Sequence, residues 1–581
     1  MKSGTDWRPY VPLAVLCALF CVLGVLVWKN AAVRHVETGG KTSTELSGTG
    51  STKKGGGEAT SPAEASDPSL TEFQPSASSN TRPNFYIKDT AVMVDGEETS
   101  DYTPDGIINF GYPEEYTGVQ GIVTFRGNNF RDGGSFGTAD IVKKQFSDAH
   151  WTVQEGSLQA PDGNVWTGSG WVGQPLVMTW PKAVRAHMNL YDWAKSADTL
   201  TEVVYATMDG NVYFIDLATG KKTRDDLKLG YTFKGAGALD PRGYPILYLG
   251  SGYNSTKGTS HAFIINLLDC KPMYEFGAND PFSLRSNISF FDGSPLVDAE
   301  TDQLIYPGES GILYIMKLNT KYDENAGTLS VSPSHVVKWR YNGVRTTKDS
   351  FWLGMEDSAV IWRGHIIMSD NGGNLMCLDL NTLELDWVQN VLDDTNCSPV
   401  MEMENGHPYV YISTSFHAGW RAPANGTAKI PVWKIDAENG EIVWQHDFSC
   451  YTEDGVSGGT QATAALGKNK LKDLVFFSVA KTPDPTTGLL VAFNKKTGEI
   501  VWQRQTQVYS WSSPVAVYDK PGNGYLVFCT SGGYMYLIDG LTGEVLDSLD
   551  VKGHVEASPV VFNGMVVVGT RSEQIWGVKL T

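Results

Sequence analysis

The sequence predicts an all-β fold, an eight-bladed β-propeller of four-stranded blades, preceded by a transmembrane helix and a disordered linker. Two observations lead to the propeller. One hairpin pattern recurs along the chain, and glycine accounts for 62 of 581 residues while 11% of the residues are aromatic and only 19% are charged. This composition is typical of many strands joined by tight turns. With 41% apolar residues the chain can bury a large core.

Charge and motif content exclude several classes of function. The net charge of −19 disfavours nucleic acid as a partner, because an acidic surface repels phosphate and gains nothing from counterion release. The 7 cysteines are too few and too scattered for a disulfide framework. No Cys-x-x-Cys pair or His/Cys cluster shows zinc-ligand spacing. The chain also lacks a phosphate-binding glycine-lysine loop and a Gly-x-Ser-x-Gly elbow.

The N-terminal residues predict a membrane anchor. Residues 9–28 carry no charge, and 11–28 are almost entirely apolar, which is long enough to span a bilayer as a helix. A cleaved signal peptide is the alternative, but Ala31 and Ala32 follow Lys29 and Asn30 and make a poor cleavage site. We therefore expect a cytoplasmic tail at 1–10, an uncleaved anchor at 11–28, and a large body exported to the extracytoplasmic side of the plasma membrane.

A flexible linker is expected at residues 29–84. Within residues 39–82, glycine, serine, threonine and proline account for 26 of 44 positions, so the segment cannot bury enough surface to fold. As a flexible coil of this length it would extend about 36 Å. The body is thus predicted to be tethered to the membrane and held away from it.

The recurring hairpin reads as four apolar residues, then Asp or Asn, then a turn that closes with Thr-Gly. Its spacings of 50, 51, 62, 57, 58, 45 and 40 residues indicate eight propeller blades. The copies that start at Ala262, Leu313 and Ile575 are weaker. The eight residues at the fifth position are Asp216, Asn266, Lys317, Asp379, Asp436, Asn494, Asp539 and Lys579.

Each part of the repeat has a physical role. The apolar residues form a strand, the Asp or Asn bonds turn amides, and Gly supplies the positive φ of the turn. Trp387, Trp444 and Trp502 each follow their Asp or Asn by eight residues, a fixed place from which a large ring can fill the gap between adjoining sheets. A short Ser-Pro segment precedes several copies, as at Ser294 and Ser513. Four strands per repeat make a propeller blade.

The two ends of the repeat region predict how the ring closes. The last copy stops at Thr581 without its outer strand, and residues 150–153, which include Trp151, have no hairpin of their own. We expect this N-terminal strand to complete the last blade and seal the ring. The propeller is therefore assigned to residues 150–581, and residues 85–149 to an N-terminal extension.

The repeat resembles that of a known family. The run from Asp436 to Trp444, and again from Asn494 to Trp502, is similar to the quinoprotein-alcohol-dehydrogenase-like, or PQQ-like, propeller repeat. Residues 121–132, with the sequence Gly-Ile-Val-Thr-Phe-Arg-Gly-Asn-Asn-Phe-Arg-Asp, resemble the Phe-Arg-Gly segment that often precedes the first blade. The resemblance covers residues 121–581 and implies a fold but not an activity.

Members of this family divide into enzymes and non-catalytic propellers. The enzymes hold pyrroloquinoline quinone (PQQ) beside calcium, use an Asp as base, and in many cases cap the quinone with a disulfide between adjacent cysteines. No two cysteines are adjacent here, and no calcium set with a base can be placed on matching positions. We therefore place the chain in the non-catalytic branch and assign no catalytic, cofactor-binding or metal-binding residue, and no cofactor.

Five polar or aromatic residues fall just before the first strands of their blades, near the expected mouth of the channel. There they either gather around a ligand or form a solvated rim with a packed tryptophan. They are Asp292, Glu356, Asp357, Trp511 and Glu556.

Two other segments are candidate binding elements. Residues 125–131, with two arginines and two phenylalanines, either grip a partner or form a local clasp under the ring. An insertion at residues 416–432 lengthens one hairpin and carries an aromatic and basic cluster that can form a binding loop. That cluster consists of His417, Trp420, Arg421 and Pro423.

Two functions remain open at this point. The preferred one is a membrane-anchored, non-enzymatic propeller that binds an envelope protein or a cell-surface polymer through its loops. The alternative is a PQQ- and calcium-dependent dehydrogenase acting on an alcohol or sugar in the channel.

Overall fold

The computed structural model describes residues 73–285, 288–347, 350–416, 425–453 and 456–581. The chain divides into two units, Met1–Gln74 and Pro75–Thr581, and the second holds nearly all of the described residues. The predicted anchor at 11–28 and most of the predicted linker lie outside the described residues. Among the residues that are described, no helix combines the length and the apolar character needed to cross a membrane.

The second unit is the predicted propeller. Its described residues form eight antiparallel blades of four strands each, which confirms the propeller part of the predicted fold. Seven strands precede the first blade: β1 Ile87–Val94, β2 Glu97–Thr99, β3 Gly121–Ile122, β4 Ser135–Phe136, β5 Phe146–Gln154, β6 Ser157–Gln159 and β7 Val165–Thr167. A 3₁₀ turn at Pro83–Phe85 precedes β1. Other short helices lie between strands: α1 Lys182–His187, α2 Asp192–Ser196, and 3₁₀ turns at Val344–Thr347, Ser350–Leu353 and Asn469–Leu471.

The blades follow one another in chain order. Blade 1 consists of β8 Leu176–Thr179, β9 Thr201–Ala206, β10 Asn211–Asp216 and β11 Leu227–Lys228, and blade 2 of β12 Ala238–Leu239, β13 Ile246–Gly250, β14 Ala262–Asn266 and β15 Lys271–Phe276. Blade 3 consists of β16 Leu296–Asp298, β17 Gln303–Pro307, β18 Ile312–Lys317 and, after the hairpin β19 Lys321–Asp323 and β20 Thr328–Ser330, β21 Ser334–Gly343. Blade 4 consists of β22 Val360–Trp362, β23 His365–Ser369, β24 Asn374–Asp379 and β25 Leu385–Asn390.

Blades 5 to 8 continue the same order, and the last of them takes its fourth strand from β5. Blade 5 consists of β26 Val400–Glu404, β27 His407–Ser413, β28 Gly426–Asp436 and β29 Ile442–Thr452, and blade 6 of β30 Ala465–Leu466, β31 Leu474–Ala480, β32 Gly488–Asn494 and β33 Ile500–Thr506. Blade 7 consists of β34 Val515–Tyr518, β35 Gly524–Cys529, β36 Tyr534–Asp539 and β37 Val545–Asp550. Blade 8 consists of β38 Val560–Phe562, β39 Met565–Thr570, β40 Gln574–Leu580 and β5.

The predicted hairpin turn forms between the third and fourth strands. In blade 5 the amide of Gly440 donates to the carbonyl of Asp436 at 2.8 Å, and Gly440 has a φ of +74°. A Cβ at this glycine would lie 2.6 Å from the ring of Trp387 in blade 4. Glycine is therefore required twice, for the turn and for the approach of the neighbouring blade's tryptophan.

The tryptophans join adjacent blades at the rim of the ring, as predicted. Each indole N–H donates to the carbonyl of the residue that follows the next blade's Asp or Asn, and we call this the rim contact. The pairs are Trp387 to Ala437 at 2.9 Å, Trp444 to Lys495 at 2.8 Å, Trp502 to Gly540 at 3.0 Å and Trp151 to Leu217 at 3.0 Å.

The last of these contacts closes the ring. Strand β5 pairs antiparallel with β40, with Val153 opposite Ile575 and Trp151 opposite Gly577. Trp151 then makes with blade 1 the same rim contact that joins blades 4 to 7. The predicted closing strand is confirmed.

Blade 1 uses a different side chain for its rim contact. Arg224, eight residues after Asp216, donates to the carbonyl of Leu267 in blade 2 at 2.7 Å. Its guanidinium is buried and pairs with the buried Glu202 at 2.5 Å. Burial lowers the pKa of Arg224, but the charge of Glu202 outweighs this effect and the pKa is raised.

The N-terminal extension is bonded to the blades of the ring. Strand β1 pairs with β21 and lengthens blade 3, and Tyr102 donates to the carbonyl of Leu380 in blade 4 at 3.4 Å. The linker was expected to continue to residue 84. Instead Thr81 is buried, donates to the carbonyl of Asn439 and accepts from the amide of Val388, so the chain is held against blades 4 and 5 before that point.

Candidate binding site at the axis of the ring

The centre of the ring is filled by residues 121–136, here called the axial segment. It begins with β3, which pairs with the first strand of blade 1, and ends with β4, which pairs in parallel with the first strand of blade 8. Between these ends it bonds blades 2 to 7. The backbone pairs include Leu239 N to Val123 O at 2.7 Å, Ile361 N to Asn129 O at 3.0 Å and Met401 N to Phe130 O at 3.0 Å.

Two arginines complete the contacts of the axial segment. Arg126 donates to the carbonyl of Pro514 at 2.7 Å and to that of Ala464 at 2.6 Å, which joins blades 7 and 6. Arg131 donates to the carbonyl of Ala359 at 2.9 Å and to that of Ser294 at 2.8 Å, which joins blades 4 and 3. Burial lowers the pKa of each arginine to about 10, so both stay charged at neutral pH.

This arrangement decides between the two interpretations of residues 125–131. Phe125, Arg126, Phe130 and Arg131 are all buried, with at most 3% of each residue exposed. They cannot reach a partner. Residues 125–131 are a structural clasp, but they lie inside the ring as part of the axial segment that contacts all eight blades, whereas the sequence suggested a local clasp beneath the ring.

A girdle of hydroxyl groups surrounds the axial segment and explains the Ser-Pro repeats. In blades 3 to 7, the serine or threonine before the first strand donates its amide to the corresponding hydroxyl of the next blade. The links run from Ser294 to Ser358 (2.9 Å), Ser398 (2.9 Å), Thr463 (3.2 Å), Ser513 (3.0 Å) and Ser558 (3.2 Å). The amide of Ser558 then bonds the carbonyl of Gly173 at 2.9 Å, ahead of blade 1.

Two of the five candidate residues meet at one cavity beside the axial segment. Asp292 and Glu356 line it together with Lys234, Asn396 and several hydroxyl groups. Asn396 donates to Glu356 at 2.6 Å. The cavity has a volume of about 20 Å³, which is room for roughly one water molecule.

Lys234, which the sequence analysis missed, is the central cation of this cavity. Its ammonium lies 2.9 Å from Asp292 Oδ2 and 4.5 Å from the centre of the Trp171 ring. Burial lowers the pKa of Lys234, but the carboxylates of Asp292, Glu309 and Glu356 outweigh it and raise the pKa. Burial also raises the pKa of Asp292, to about 6.

A second buried ion pair, between Arg285 and Glu309, lies next to the cavity. Arg285 lies 3.1 Å from Glu309 and donates to Asn371 Oδ1 at 2.9 Å, while Asn371 donates to Glu356 at 2.8 Å. The burial of Glu309 raises its pKa well above the usual range. These residues belong to loops of different blades, and no local motif in the sequence brings them together.

The other three candidates have separate environments. Asp357 is turned into blade 4, where it accepts from the amide and hydroxyl of Ser369 at 3.1 and 2.5 Å. Its burial raises its pKa to about 7. Trp511 is packed beside Tyr509 at 5.6 Å. Glu556 accepts from the amide of Trp171 at 3.3 Å. None of these three residues lines the cavity.

The cavity does not fit the quinone that the dehydrogenase alternative requires. Pockets for cofactors and drug-sized ligands have volumes of roughly 300–1,000 Å³, and a second cavity, lined by Arg126, Asp132 and Lys468, has only about 110 Å³. Lys234 and Asp292 neutralise each other, and Asp357 is bonded away from the axis. Neither of these two cavities among the described residues therefore offers the space for a tricyclic ring, and the carboxylates that line the first, Asp292 and Glu356, already have partners within the protein.

Aromatic side chains form a half-buried platform next to Lys234. The Trp166 ring lies 5.0 Å from that of Tyr253, which lies 5.4 Å from that of Phe290. Trp171 and Val172 beside it have φ values of +56°, a strained conformation for non-glycine residues. We call Trp166, Tyr253 and Phe290 the aromatic platform.

The proposed binding loop is not part of this site as described. His417, Trp420, Arg421 and Pro423 lie outside the described residues. The described ends of the insertion, Phe416 and Val432, are buried.

Comparison with known proteins agrees with the repeat. A family model described as outer membrane protein assembly factor BamB matches residues 486–581. The part of the ring formed by residues 486–581 thus matches a family of PQQ-like repeats. The fold of the chain is similar to that of a quinohemoprotein alcohol dehydrogenase from Pseudomonas putida, with a TM-score of 0.50 and 10% identity over 79% of this chain and 80% of that chain. A likeness at this identity concerns the fold alone.

Curated relatives match over shorter stretches. Outer membrane protein assembly factor BamB of Kangiella koreensis is 24% identical over 217 residues, which is 37% of this chain and 48% of that protein. The beta-alanine-activating enzyme of Danio rerio is 29% identical over 97 residues, 16% of this chain and 8% of that enzyme. The matches thus span less than half the length of these relatives.

Proposed function

We propose that this protein is a non-enzymatic binding or scaffold propeller of the cell envelope. In this proposal residues 11–28 anchor it in the plasma membrane, and the propeller lies on the extracytoplasmic side. The observation that carries the proposal is the axial segment, which bonds all eight blades through the centre of the ring. Because the axial segment occupies the interior and bonds the blades together, the surfaces left for function are the loops and outer edges.

The aromatic platform supports binding to a protein. Protein interfaces are enriched in aromatic residues and arginine. The Trp166 ring is tilted against that of Tyr253, which stacks on Phe290, and all three side chains are half-buried. The BamB relative's name, outer membrane protein assembly factor, favours an envelope protein as the partner class over a polymer. No described feature favours the dehydrogenase alternative.

Site-specific photocrosslinking tests this proposal in intact cells. A photoreactive phenylalanine replaces Tyr253 on the platform or, as the control, Tyr191, which is 40% exposed elsewhere. We expect one envelope protein to crosslink at position 253 and not at 191. Trp166→Ala should abolish that crosslink. Equal crosslinking at both positions, or crosslinking unaffected by Trp166→Ala, would count against a binding platform.

A further inference from the structure

Three side chains with different metal-binding atoms converge on blade 4. His365 begins β23, Cys377 lies on β24 and Asp386 on β25, so three neighbouring strands each supply one residue. His365 Nδ1 lies 2.9 Å from Asp386 Oδ2, and Cys377 Sγ lies 3.6 Å from the same oxygen. All three candidate ligand atoms lie within 4.8 Å of one another.

Two of the three separations are close to those of a tetrahedral zinc site, and the third, between the candidate ligand atoms of His365 and Cys377, is at most 4.8 Å. Bonds of about 2.3 Å to sulfur and about 2.0 Å to nitrogen or oxygen place tetrahedral ligand atoms about 3.3–3.5 Å apart. The separations of 2.9 and 3.6 Å therefore need to change by only a few tenths of an ångström. We propose that His365, Cys377 and Asp386 form a binding site for a divalent transition metal of the zinc class, with a fourth position open to solvent.

The surroundings suit such an ion. A thiolate at Cys377 and a carboxylate at Asp386 balance its two positive charges, so the loaded site is neutral. The Cys377 side chain is buried, whereas those of His365 and Asp386 are 13% and 17% exposed, which gives the ion a route from solvent. On binding, the Cys377 thiol releases its proton to solvent.

Comparison with blade 5 argues against a role of these residues in the repeat itself. In blade 5 the positions of His365, Cys377 and Asp386 carry Tyr409, Lys434 and Val443. There the Lys434 ammonium lies 4.0 Å from the centre of the Tyr409 ring. This place thus holds a cation of the protein, the Lys434 ammonium, in blade 5 and a set of candidate cation ligands in blade 4.

Cobalt binding is the direct test, because a cysteine ligand gives Co²⁺ a thiolate charge-transfer band and tetrahedral geometry gives intense visible bands. The full-length protein, freed of its purification tag and of metal, is titrated with Co²⁺ and then with Zn²⁺. We expect one equivalent of Co²⁺ to produce both sets of bands and Zn²⁺ to remove them.

Variants separate the site from adventitious binding. Cys377→Ser should abolish the charge-transfer band, and His365→Gln and Asp386→Asn should each weaken affinity at least tenfold. His407→Gln is the matched control, because His407 pairs with Asp436 at 3.0 Å in blade 5 without a cysteine, and it should bind like the unmodified protein.

Stability provides a second readout that does not depend on the cysteine variant. Zn²⁺ should raise the melting temperature of the unmodified protein and of His407→Gln, but not that of Asp386→Asn. Absence of a thiolate band in the unmodified protein, or an unchanged band in Cys377→Ser, would overturn the proposal.

Discussion

The rim and the axis of this ring are held together in different ways. At the rim each contact joins one blade to a single neighbour, and its chemistry varies. Trp387 joins blade 4 to blade 5, Arg224 joins blade 1 to blade 2, and Tyr102 joins the N-terminal extension to blade 4. At the axis a single segment bonds all eight blades, and a girdle of hydroxyls links neighbours. Rim contacts are local and can be exchanged one at a time, whereas a change in the axial segment affects several blades together.

The largest expected effect comes from removing the axis and the closing strand together. Deletion of residues 1–153 removes the axial segment and the β5 strand up to Val153, so the ring loses its centre and the last partner of β40. We expect no cooperative unfolding transition. Deletion of residues 1–74 leaves the compact unit that starts at Pro75 and should unfold like the full-length chain. Similar circular dichroism melting curves for the two truncations would contradict the structural role of the axis.

A single axial arginine should cost more than any one rim contact. Arg131→Ala leaves the buried carbonyls of Ser294 and Ala359 without their donor. Each unsatisfied buried acceptor costs about 1–3 kcal/mol and the new cavity adds to this. We expect a loss of about 4–6 kcal/mol in urea unfolding. The exposed Lys143→Ala on the same extension serves as the control and should change little.

The buried ion pair of blade 1 should behave non-additively. Glu202→Leu leaves the Arg224 guanidinium buried without its carboxylate, and we expect a loss of about 3–5 kcal/mol. The double variant Glu202→Leu with Arg224→Met removes both charges and should be more stable than the single variant, although Leu267 O loses its donor. A double-mutant cycle measures the difference. Simple additivity would mean that the pair is not coupled.

The smallest effect isolates one rim hydrogen bond at the closing seam. Trp151→Phe keeps an aromatic ring but removes the N–H that donates to Leu217 O. The expected loss is about 1 kcal/mol. Trp193→Phe changes an indole that is 39% exposed and should have no measurable effect on the urea midpoint. A loss above that of Arg131→Ala would reverse the ranking of rim and axis.

The rim of the ring was more predictable from the sequence than its axis. The blades, the turn at Asp436 and the closing strand at Trp151 were predictable because each depends on a local pattern that recurs. Arg224 was missed because an unlike residue occupies the tryptophan position. The axial segment occurs once, so self-comparison of the chain gave it no place in the ring.

The candidate site was only partly predictable for a related reason. Glu356 and Asp357 are adjacent in sequence, but Glu356 lines the cavity and Asp357 is turned to Ser369 in blade 4. The pairing of Lys234 with Asp292 joins loops of blades 2 and 3, and the ligands on blade 4 are 12 and 9 residues apart on successive strands. Such meetings depend on the register between strands, which spacing along the chain does not reveal.

The most direct test of the proposed non-enzymatic function is whether the ring binds the quinone. The purified full-length protein is mixed with pyrroloquinoline quinone and calcium, and binding is followed by quinone absorbance and by dye-linked oxidation of alcohols and aldoses. Because the axial segment and the Lys234–Asp292 pair occupy the centre, we predict no tight binding and no turnover. Micromolar affinity together with calcium-dependent oxidation would contradict the proposal that this propeller is a binding protein.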